Sequence, residues 1–286
     1  MSSHKESEHW DLVIKPQGGF LDLNLKDVWR YRDLLIQFIK RDFVAQYKQT
    51  VLGLLWNVIQ PILTTIMFLL VFGKIANIPT DGIKAPLFYL SGITIWNYFA
   101  TCFTSISTTF VTNATIFGKV YFPRLVLPFS VVFSNIIRFF IQFAFLLIVM
   151  VYYSFRGYPI HISLAWLLIP FLVILMGGIG LGLGIIISSI TTKYRDFTVL
   201  VAFGVQLLMY ATPIVYPLSF LMGKSYRWVI MLNPLTAVTE AFRYCLFDTS
   251  HFQWDSLLYS TLFMLVTLGL GLIMFSRTER TFMDTV

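Results

Sequence analysis

Charged residues are scarce in this sequence, and their scarcity excludes an ordinary soluble protein. Asp, Glu, Lys and Arg together make up 12% of the 286 residues, whereas soluble globular domains average about 25%. Hydrophobic residues make up 57% of the chain, and they form blocks of the length, about 20 residues, that a helix needs to cross a bilayer. The alternation typical of transmembrane β-strands is absent. We therefore predict an all-α polytopic membrane protein, whose helices satisfy their own backbone hydrogen bonds in lipid.

Residues that commonly carry chemistry are also few. The four histidines lie outside the apolar blocks and lack the spacing of metal ligands. The two cysteines, Cys102 and Cys245, lie in apolar surroundings that predict buried thiols rather than a disulfide. The apolar blocks hold hardly any carboxylates, which disfavours an ion-coupled proton relay, and no nucleotide-binding P-loop is present. We expect no catalytic residue, metal or cofactor in this chain, so as a transporter it would draw its energy from another chain.

The N-terminal region is polar and then amphipathic. Residues 1–26 form a polar lead-in without the apolar segment of a cleavable signal. Residues 27–49 have a helical period, with basic and polar side chains on one arc and apolar side chains on the other. This pattern predicts a cytoplasmic helix that lies in the membrane interface. The alternative is a basic flank that only orients the protein.

The apolar blocks predict six membrane-spanning helices within a transmembrane domain at residues 50–276. Their approximate bounds are 52–75, 87–111, 125–153, 164–190, 198–216 and 257–275, and a polar tail, 277–286, follows. Of the 21 Lys and Arg residues, fourteen fall on the side that holds both termini, six fall on the opposite side, and Arg138 lies inside the third span. The excess predicts that both termini and the loops 113–124 and 191–197 are cytoplasmic.

Two features inside the spans each have two interpretations. Arg138 faces either the protein interior or water along a pathway, or it extends towards the headgroups, and both remain open. The glycine run at 177–184 superficially resembles a phosphate-binding loop, but it lacks the following Lys-Ser/Thr. It predicts close helix packing instead, through the pairs Gly178/Gly182 and Gly180/Gly184.

The connection 217–254 contains two apolar pieces that are too short to cross a bilayer. They are separated by Asn233 and Pro234. The pattern predicts two short re-entrant or interfacial helices on the outer side, before the last span. An ordinary extracellular loop is the alternative, and it would expose Trp228, Phe242 and other large apolar side chains to water.

Five segments together resemble one protein family. They are YKQTVLGLLWNVIQPI (47–62), KVYFPRLVLP (119–128) after Asn113, KYRDF (193–197) with ATPIVYP (211–217), LNPLTAVTEAFRY (232–244) and RTERTFMD (277–284). In this order they are similar to the membrane subunit of a type-2 ABC exporter, in the subgroup of O-antigen and polysaccharide exporter permeases. Capsule and teichoic-acid exporter permeases are related to that subgroup. The resemblance covers nearly the whole chain from about residue 27.

The resemblance implies how the chain would be driven. In this family the loop between the second and third spans is a coupling helix that docks into a groove of an ATPase subunit, and here that loop is 113–124. The interfacial helix and the loop at 193–197 would make secondary contacts with the same partner. The residues implied in coupling are Asn113, Lys119, Tyr121, Phe122, Pro123, Arg124, Lys193, Tyr194, Arg195 and Asp196.

The resemblance also implies a cargo and an assembly. Two copies of the permease and two ATPases, which hold ATP and Mg²⁺, would form a pore for a glycan linked to undecaprenyl pyrophosphate. Aromatic side chains offer a sliding glycan many equivalent positions, and the candidates are Trp56, Tyr89, Trp96, Tyr98, Phe99, Tyr210 and Tyr216. Cations near the headgroups suit a pyrophosphate, and the candidates are Arg30, Arg32, Lys40 and Arg41. The short outer helices match the family's gate, with Asn233, Pro234, Glu240 and Arg243.

The sequence therefore predicts a permease subunit of an ATP-driven exporter in the bacterial inner membrane, which serves lipopolysaccharide biosynthesis and has no enzymatic activity of its own. One alternative is a type-2 exporter of another lipid, glycolipid or drug. A second is an integral-membrane transferase that acts on lipid-linked sugars, for which Glu240 is the one isolated acid that could serve as a catalytic group.

Overall fold

The computed structural model describes residues 29–48, 50–117, 122–159, 163–194, 196–225, 227–248 and 252–282. All regular structure in these ranges is helical, as predicted. The lead-in at 1–26 and the predicted site residues Lys119, Tyr121 and Arg195 lie outside the described residues.

Eleven α-helices are numbered here in chain order over the described ranges. The first five are α1 (Arg32–Tyr47), α2 (Trp56–Phe68), α3 (Ala85–Ser107), α4 (Thr109–Thr112) and α5 (Ala114–Phe117). The next three are α6 (Val126–Phe155), α7 (Ile169–Thr191) and α8 (Phe197–Tyr210). The last three are α9 (Arg227–Met231), α10 (Pro234–Phe247) and α11 (Trp254–Phe282). A 3-10 turn (Gly53–Leu55) leads into α2 and a π-helix (Leu69–Ile75) continues it, while a 3-10 turn (Leu164–Leu168) leads into α7.

Four helical stretches are long and apolar enough to cross a membrane. They are Gly53–Ile75, Val126–Phe155, Leu164–Thr191 and Trp254–Thr278, and they correspond to the first, third, fourth and sixth predicted spans. The second and fifth predicted spans correspond to α3 and α8. Helix α3 is 23 residues long but is interrupted by polar side chains, and α8 has only 14 residues. The count of six spans stays a prediction.

Helix α3 tolerates its polar residues because other helices surround it. Fifteen of its 23 residues are buried, and it packs against α2, α6 and α7. By contrast, only 17% of the most apolar window of Val126–Phe155 is buried, against 67% for Leu164–Thr191. Helices α3 and α7 therefore form the centre of the bundle, and α6 presents a broad apolar surface of the kind that faces lipid.

The glycine run of α7 lets its two neighbours approach closely. A Cβ on Gly182 would lie 2.8 Å from Thr267 Oγ1 on α11, and a Cβ on Gly184 would lie 2.8 Å from Ile106 Cβ on α3. Side chains larger than hydrogen would force these helices apart. The predicted role of the run in close helix packing is confirmed.

The N-terminal helix α1 packs along α6. The predicted helix covered 27–49, and the structure gives Arg32–Tyr47, with the N-cap at Tyr31. Phe38 is its buried contact residue, while Lys40 and Arg41 are exposed. The helix thus packs on the bundle through Phe38 and leaves Lys40 and Arg41 outside, while a position in the membrane interface stays a prediction.

Two short helices occupy the connection before the last span, and the break between them falls at Asn233 and Pro234 as predicted. Helix α9 has five residues and α10 has 14. Nearly all of α10 is buried against α3, α7 and α11. Because it is enclosed by the bundle, α10 is not an exposed loop; a re-entrant depth in the membrane stays a prediction.

Candidate functional site

The predicted coupling segment begins as two single-turn helices at the end of α3. They are α4 and α5, and Asn113 separates them. The Asn113 side chain donates from Nδ2 to the carbonyl oxygen of Thr109 at 3.0 Å, which is the local bonding by which Asn favours turns over a continuous helix. The chain thereby turns away from the axis of α3 without losing its helical contacts.

The described end of the coupling segment, residues 122–124, is anchored inside the chain. Phe122 and Arg124 are 4% and 8% exposed. The Phe117 and Phe122 rings stack at 5.8 Å between centroids, and the Arg124 guanidinium lies 5.2 Å from the centroid of the Phe117 ring. The sequence analysis assigned Phe122 and Arg124 to docking on a partner. In this structure both side chains hold the segment to the protein's own core, and Pro123 between them is half-buried.

One of the two predicted secondary contacts touches the coupling segment. The Phe38 ring of α1 lies 5.6 Å from the Phe122 ring. The Thr191 hydroxyl at the end of α7 donates to the carbonyl oxygen of Ser107, the last residue of α3, at 2.7 Å. The loop at 193–197 therefore begins beside the end of α3 that leads into the coupling segment, and its contact with residues 113–124 stays a prediction.

The loop after α7 presents an aromatic and charged surface. Tyr194 is 50% exposed. The Lys193 ammonium lies 5.4 Å from the centroid of the Tyr194 ring, and Phe197 contacts the same ring at 6.2 Å. Asp196 precedes the first turn of α8, where a carboxylate is favourable to the helix dipole. This loop offers the exposed aromatic anchor that the buried part of the coupling segment does not.

The predicted pyrophosphate-binding cations lie on the exposed side of the N-terminal helix. Arg30, Arg32, Lys40 and Arg41 are all exposed. Arg41 pairs with Asp42 at 2.7 Å and its guanidinium lies 4.6 Å from the centroid of the Phe38 ring. An exposed pair of this kind contributes little stability, so the arginine remains available to an anionic headgroup.

The predicted outer gate residues meet around one buried guanidinium. Arg243 on α10 is 1% exposed and donates to the carbonyl oxygens of Pro213 and, at 2.8 Å, Ile214. It also lies 3.4 Å from Glu240 Oε1, one turn earlier on α10. The spacing of three residues between Glu240 and Arg243 is visible in the sequence. Nothing in the sequence indicates that Arg243 also binds backbone carbonyl oxygens between α8 and α9.

Two residues of α3 complete this arrangement, and sequence analysis missed both. The Arg243 guanidinium lies 3.7 Å from the centroid of the Phe88 ring, and a Cβ on Gly92 would lie 2.7 Å from Arg243 Nη2. A glycine in an otherwise bulky span was the available signal, since intramembrane glycines mark close approach. Arg243 thus binds α10, α3 and the turn after α8 into one unit.

Asn233 fixes the junction between the two short helices. Its Oδ1 accepts from the Leu235 amide at 3.1 Å and caps α10, where Pro234 takes the first helical position. Its Nδ2 donates to the Ala211 carbonyl oxygen and to Thr212 Oγ1 at 3.1 and 2.9 Å. The cap therefore ties α10 to the same turn that Arg243 binds.

The aromatic residues predicted to line a glycan channel divide by exposure. Tyr89, Trp96, Tyr98 and Phe99 on α3 are at most 5% exposed, so they pack inside a single copy of the chain. Trp56 and Tyr210 are 49% and 46% exposed, and the Tyr216 hydroxyl donates to the Tyr210 carbonyl oxygen at 3.0 Å. Lining by any of the seven stays a prediction.

Among the described residues, no group of three or more His, Cys, Asp or Glu side chains could hold a metal ion.

A family model described as "ABC-2 type transporter" matches residues 33–247. The chain belongs to this family. That assignment confirms the type-2 ABC exporter resemblance and explains why the chain resembles a transport component rather than an enzyme.

Two relatives of this ABC-2 family member carry functional names. An O-antigen export system permease protein RfbA from Klebsiella pneumoniae is 29% identical over 242 residues, which cover 84% of this chain and 90% of the relative. An O-antigen export system permease protein RfbA from Myxococcus xanthus is 29% identical over 77% of this chain and 82% of the relative. Both alignments extend well beyond a single motif.

Proposed function

We propose that this ABC-2 protein is the permease subunit of an O-antigen exporter, which moves a lipid-linked polysaccharide across the bacterial inner membrane. The observation that carries the proposal is the similarity to an O-antigen export permease over 84% of the chain. Membership of the family implies an ATPase partner, and we assign ATP and Mg²⁺ to that partner. The substrate we infer is a glycan on undecaprenyl pyrophosphate.

The proposed assembly contains two copies of this chain and two ATPases, with six spans per chain and both termini in the cytoplasm. The contact of α1 with the coupling segment, and that of the end of α7 with the end of α3, support a single docking surface for the ATPase. Exposed aromatic residues have the character of interface anchors, and Tyr194 is one of them. Movement of this end of the bundle would pass directly into α3 and α6, which the coupling segment joins.

The proposal is tested in cells that make the polymer. Deleting the gene for this chain is expected to remove the polymer from the cell surface and to leave lipid-linked glycan in the inner membrane, and re-expression restores export. Tyr121→Ala with Lys119→Glu is expected to abolish both export and co-purification of the ATPase. Undiminished surface polymer in the deletion strain would contradict the proposed function.

A further inference from the structure

A polar cavity lies among apolar helices, between α2, α3 and α6. Its volume is about 120 Å³, which is room for several water molecules. Helix α2 supplies Asn57 and Gln60, α3 supplies Asn97, Tyr98 and Thr101, and α6 supplies Asn135, Arg138, Phe139 and Gln142. Five of the nine lining side chains are carboxamides and none is a carboxylate.

The cavity begins near the start of α2, where Asn57 is the second residue, and it extends to Arg138, which lies well inside α6. Arg138 is twelve residues beyond Val126, the first residue of α6, which places it about 18 Å along the helix at 1.5 Å per residue. The hydrocarbon core of a bilayer is about 30 Å thick. A guanidinium at this depth requires water or a polar partner. The structure therefore favours the cavity over the headgroups as the environment of Arg138.

The deep wall of the cavity is held by contacts of the protein's own. Asn135 and Tyr98 are each 3% exposed. Asn135 Nδ2 donates to the Val131 carbonyl oxygen at 2.9 Å, and the Tyr98 hydroxyl lies against Gly177 of α7, where it would clash with an added Cβ. The groups left for a ligand are the other polar lining side chains, among them Gln60, Asn97 and Gln142.

The donors and acceptors on the wall match a hydroxylated ligand better than an anion. Carboxamides donate and accept at once, and a guanidinium donates only. A sugar hydroxyl can donate to a carboxamide oxygen and accept from Arg138 or a carboxamide nitrogen, whereas a phosphate can only accept and would leave the carboxamide oxygens of the wall without a donor. Asn97 and Gln142 already pair, from Nδ2 to Oε1 at 3.3 Å, and each amide retains further capacity.

We propose that this cavity binds the hydroxyl groups of a sugar residue in the exported glycan. The proposal rests on the proposed function and gives the transporter a polar subsite that is separate from the predicted aromatic lining. Gln60 is exposed and forms the rim. Asn57 lies at the α1 end, where its Nδ2 donates to the Tyr47 hydroxyl at 2.6 Å. A glycan that enters past α1 would reach the cavity through this rim.

The first test measures protection at the rim. Gln60→Cys in the purified permease–ATPase complex is labelled with a charged, water-soluble thiol reagent; the native Cys102 and Cys245 are at most 1% exposed and give little background. Two probes are compared: the glycan released from its lipid by mild acid, and undecaprenyl pyrophosphate without glycan. Val51→Cys, fully exposed ahead of α2, is the matched control.

Released glycan is expected to slow labelling of Gln60→Cys about fivefold or more, and to leave Val51→Cys unchanged. Undecaprenyl pyrophosphate is expected to protect neither position. Protection by the pyrophosphate alone, equal protection by both probes, or protection by neither would each overturn the sugar subsite.

The second test removes polar groups from the wall. Asn97→Leu and Gln142→Leu, each combined with Gln60→Cys, are expected to abolish protection by the glycan, because both side chains line the cavity. Ser189→Ala is the control, because its hydroxyl bonds to Ile185 within α7, outside the cavity. Retained protection in either assembled leucine variant overturns the proposal. If neither variant assembles, the first test decides: protection of Gln60→Cys by released glycan supports the proposal, and the absence of protection overturns it.

Cellular export separates this proposal from the proposed function. If surface polymer depends on this chain but the glycan does not protect Gln60→Cys, the cavity proposal fails and the proposed function stands. If surface polymer does not depend on this chain, both fail.

Discussion

At the scale of single residues, Arg243 is the side chain on which most of the outer segment depends. It is 1% exposed and binds two backbone carbonyl oxygens as well as Glu240. Arg243→Ala would leave these acceptors and a buried carboxylate unpaired. Removing one partner of a buried pair costs about 3–5 kcal/mol, so we expect a marked fall in the thermal unfolding temperature of the complex.

Arg156→Ala is the control for the Arg243 prediction. Arg156 is exposed and lies 5.1 Å from the centroid of the Tyr152 ring, and exposed substitutions usually change stability by about 0.5 kcal/mol or less. Equal unfolding temperatures for the two variants would show that the buried guanidinium is not a stabilising centre.

A second prediction at the scale of single residues concerns Gly92. A methyl group there would lie 2.7 Å from Arg243 Nη2 and 3.1 Å from Ile214 Cγ2, and overpacking of this kind costs about 1–3 kcal/mol. Gly92→Ala is therefore expected to lower the unfolding temperature. Gly269→Ala on α11, where nothing lies within 4 Å of the added Cβ, is expected to be neutral or stabilising. A lower unfolding temperature for Gly269→Ala than for Gly92→Ala would refute the close approach of α3 to Arg243.

Prediction from sequence succeeded for residues near each other in the chain and failed for contacts between distant segments. Glu240 and Arg243 share a helix face by spacing alone. Phe88 lies 155 residues from Arg243, and nothing in a single sequence fixes which helix meets that guanidinium. The amides at 135 and 142, with Arg138 between them, had a helical spacing that was visible, but their partners on α2 and α3 were not.

At the scale of helices, the contact between Thr191 and Ser107 joins the end of α7 to the end of α3, just before the chain continues into α4, α5 and the coupling segment. Thr191→Val removes the buried donor to the Ser107 carbonyl oxygen, at 2.7 Å in the native chain, and an unpaired buried acceptor costs about 1–3 kcal/mol. Residues 108–117 should then open more often. We expect faster hydrogen exchange in a peptide that covers them, measured on the assembled complex by mass spectrometry.

The next residue along the chain supplies the control for that prediction. The Thr192 hydroxyl donates to the Ser188 carbonyl oxygen of its own helix at 2.9 Å and bonds to nothing in the coupling segment among the described residues. Thr192→Val should leave exchange at 108–117 unchanged. Equal exchange at 108–117 in both variants would show that the hydrogen bond between Thr191 and Ser107 does not stabilise residues 108–117.

At the scale of the whole molecule, the number of spans decides which side each loop occupies. With only the four most apolar stretches as spans, α3 and α8 would stay on one side of the membrane. If both termini are cytoplasmic, as predicted, the coupling segment and the loop after α7 would then lie outside, away from any ATPase. With six spans and the same termini, both would lie in the cytoplasm. Sequence hydropathy alone could not settle α3, because enclosure by other helices, rather than apolar composition, accommodates its polar residues.

Three cysteine variants distinguish the two topologies. The positions are Thr115 in α5, Tyr194 after α7 and Arg156 after α6, and all three are exposed. With both termini in the cytoplasm, six spans predict that a membrane-impermeant thiol reagent labels Arg156→Cys in intact spheroplasts, and that Thr115→Cys and Tyr194→Cys react only after the membrane is opened. Four spans predict the opposite at all three positions. Because the accessibility of all three positions is opposite in the two topologies, partial labelling at one position cannot imitate the other topology. Labelling of Thr115→Cys from outside would show that the coupling segment cannot contact a cytoplasmic ATPase.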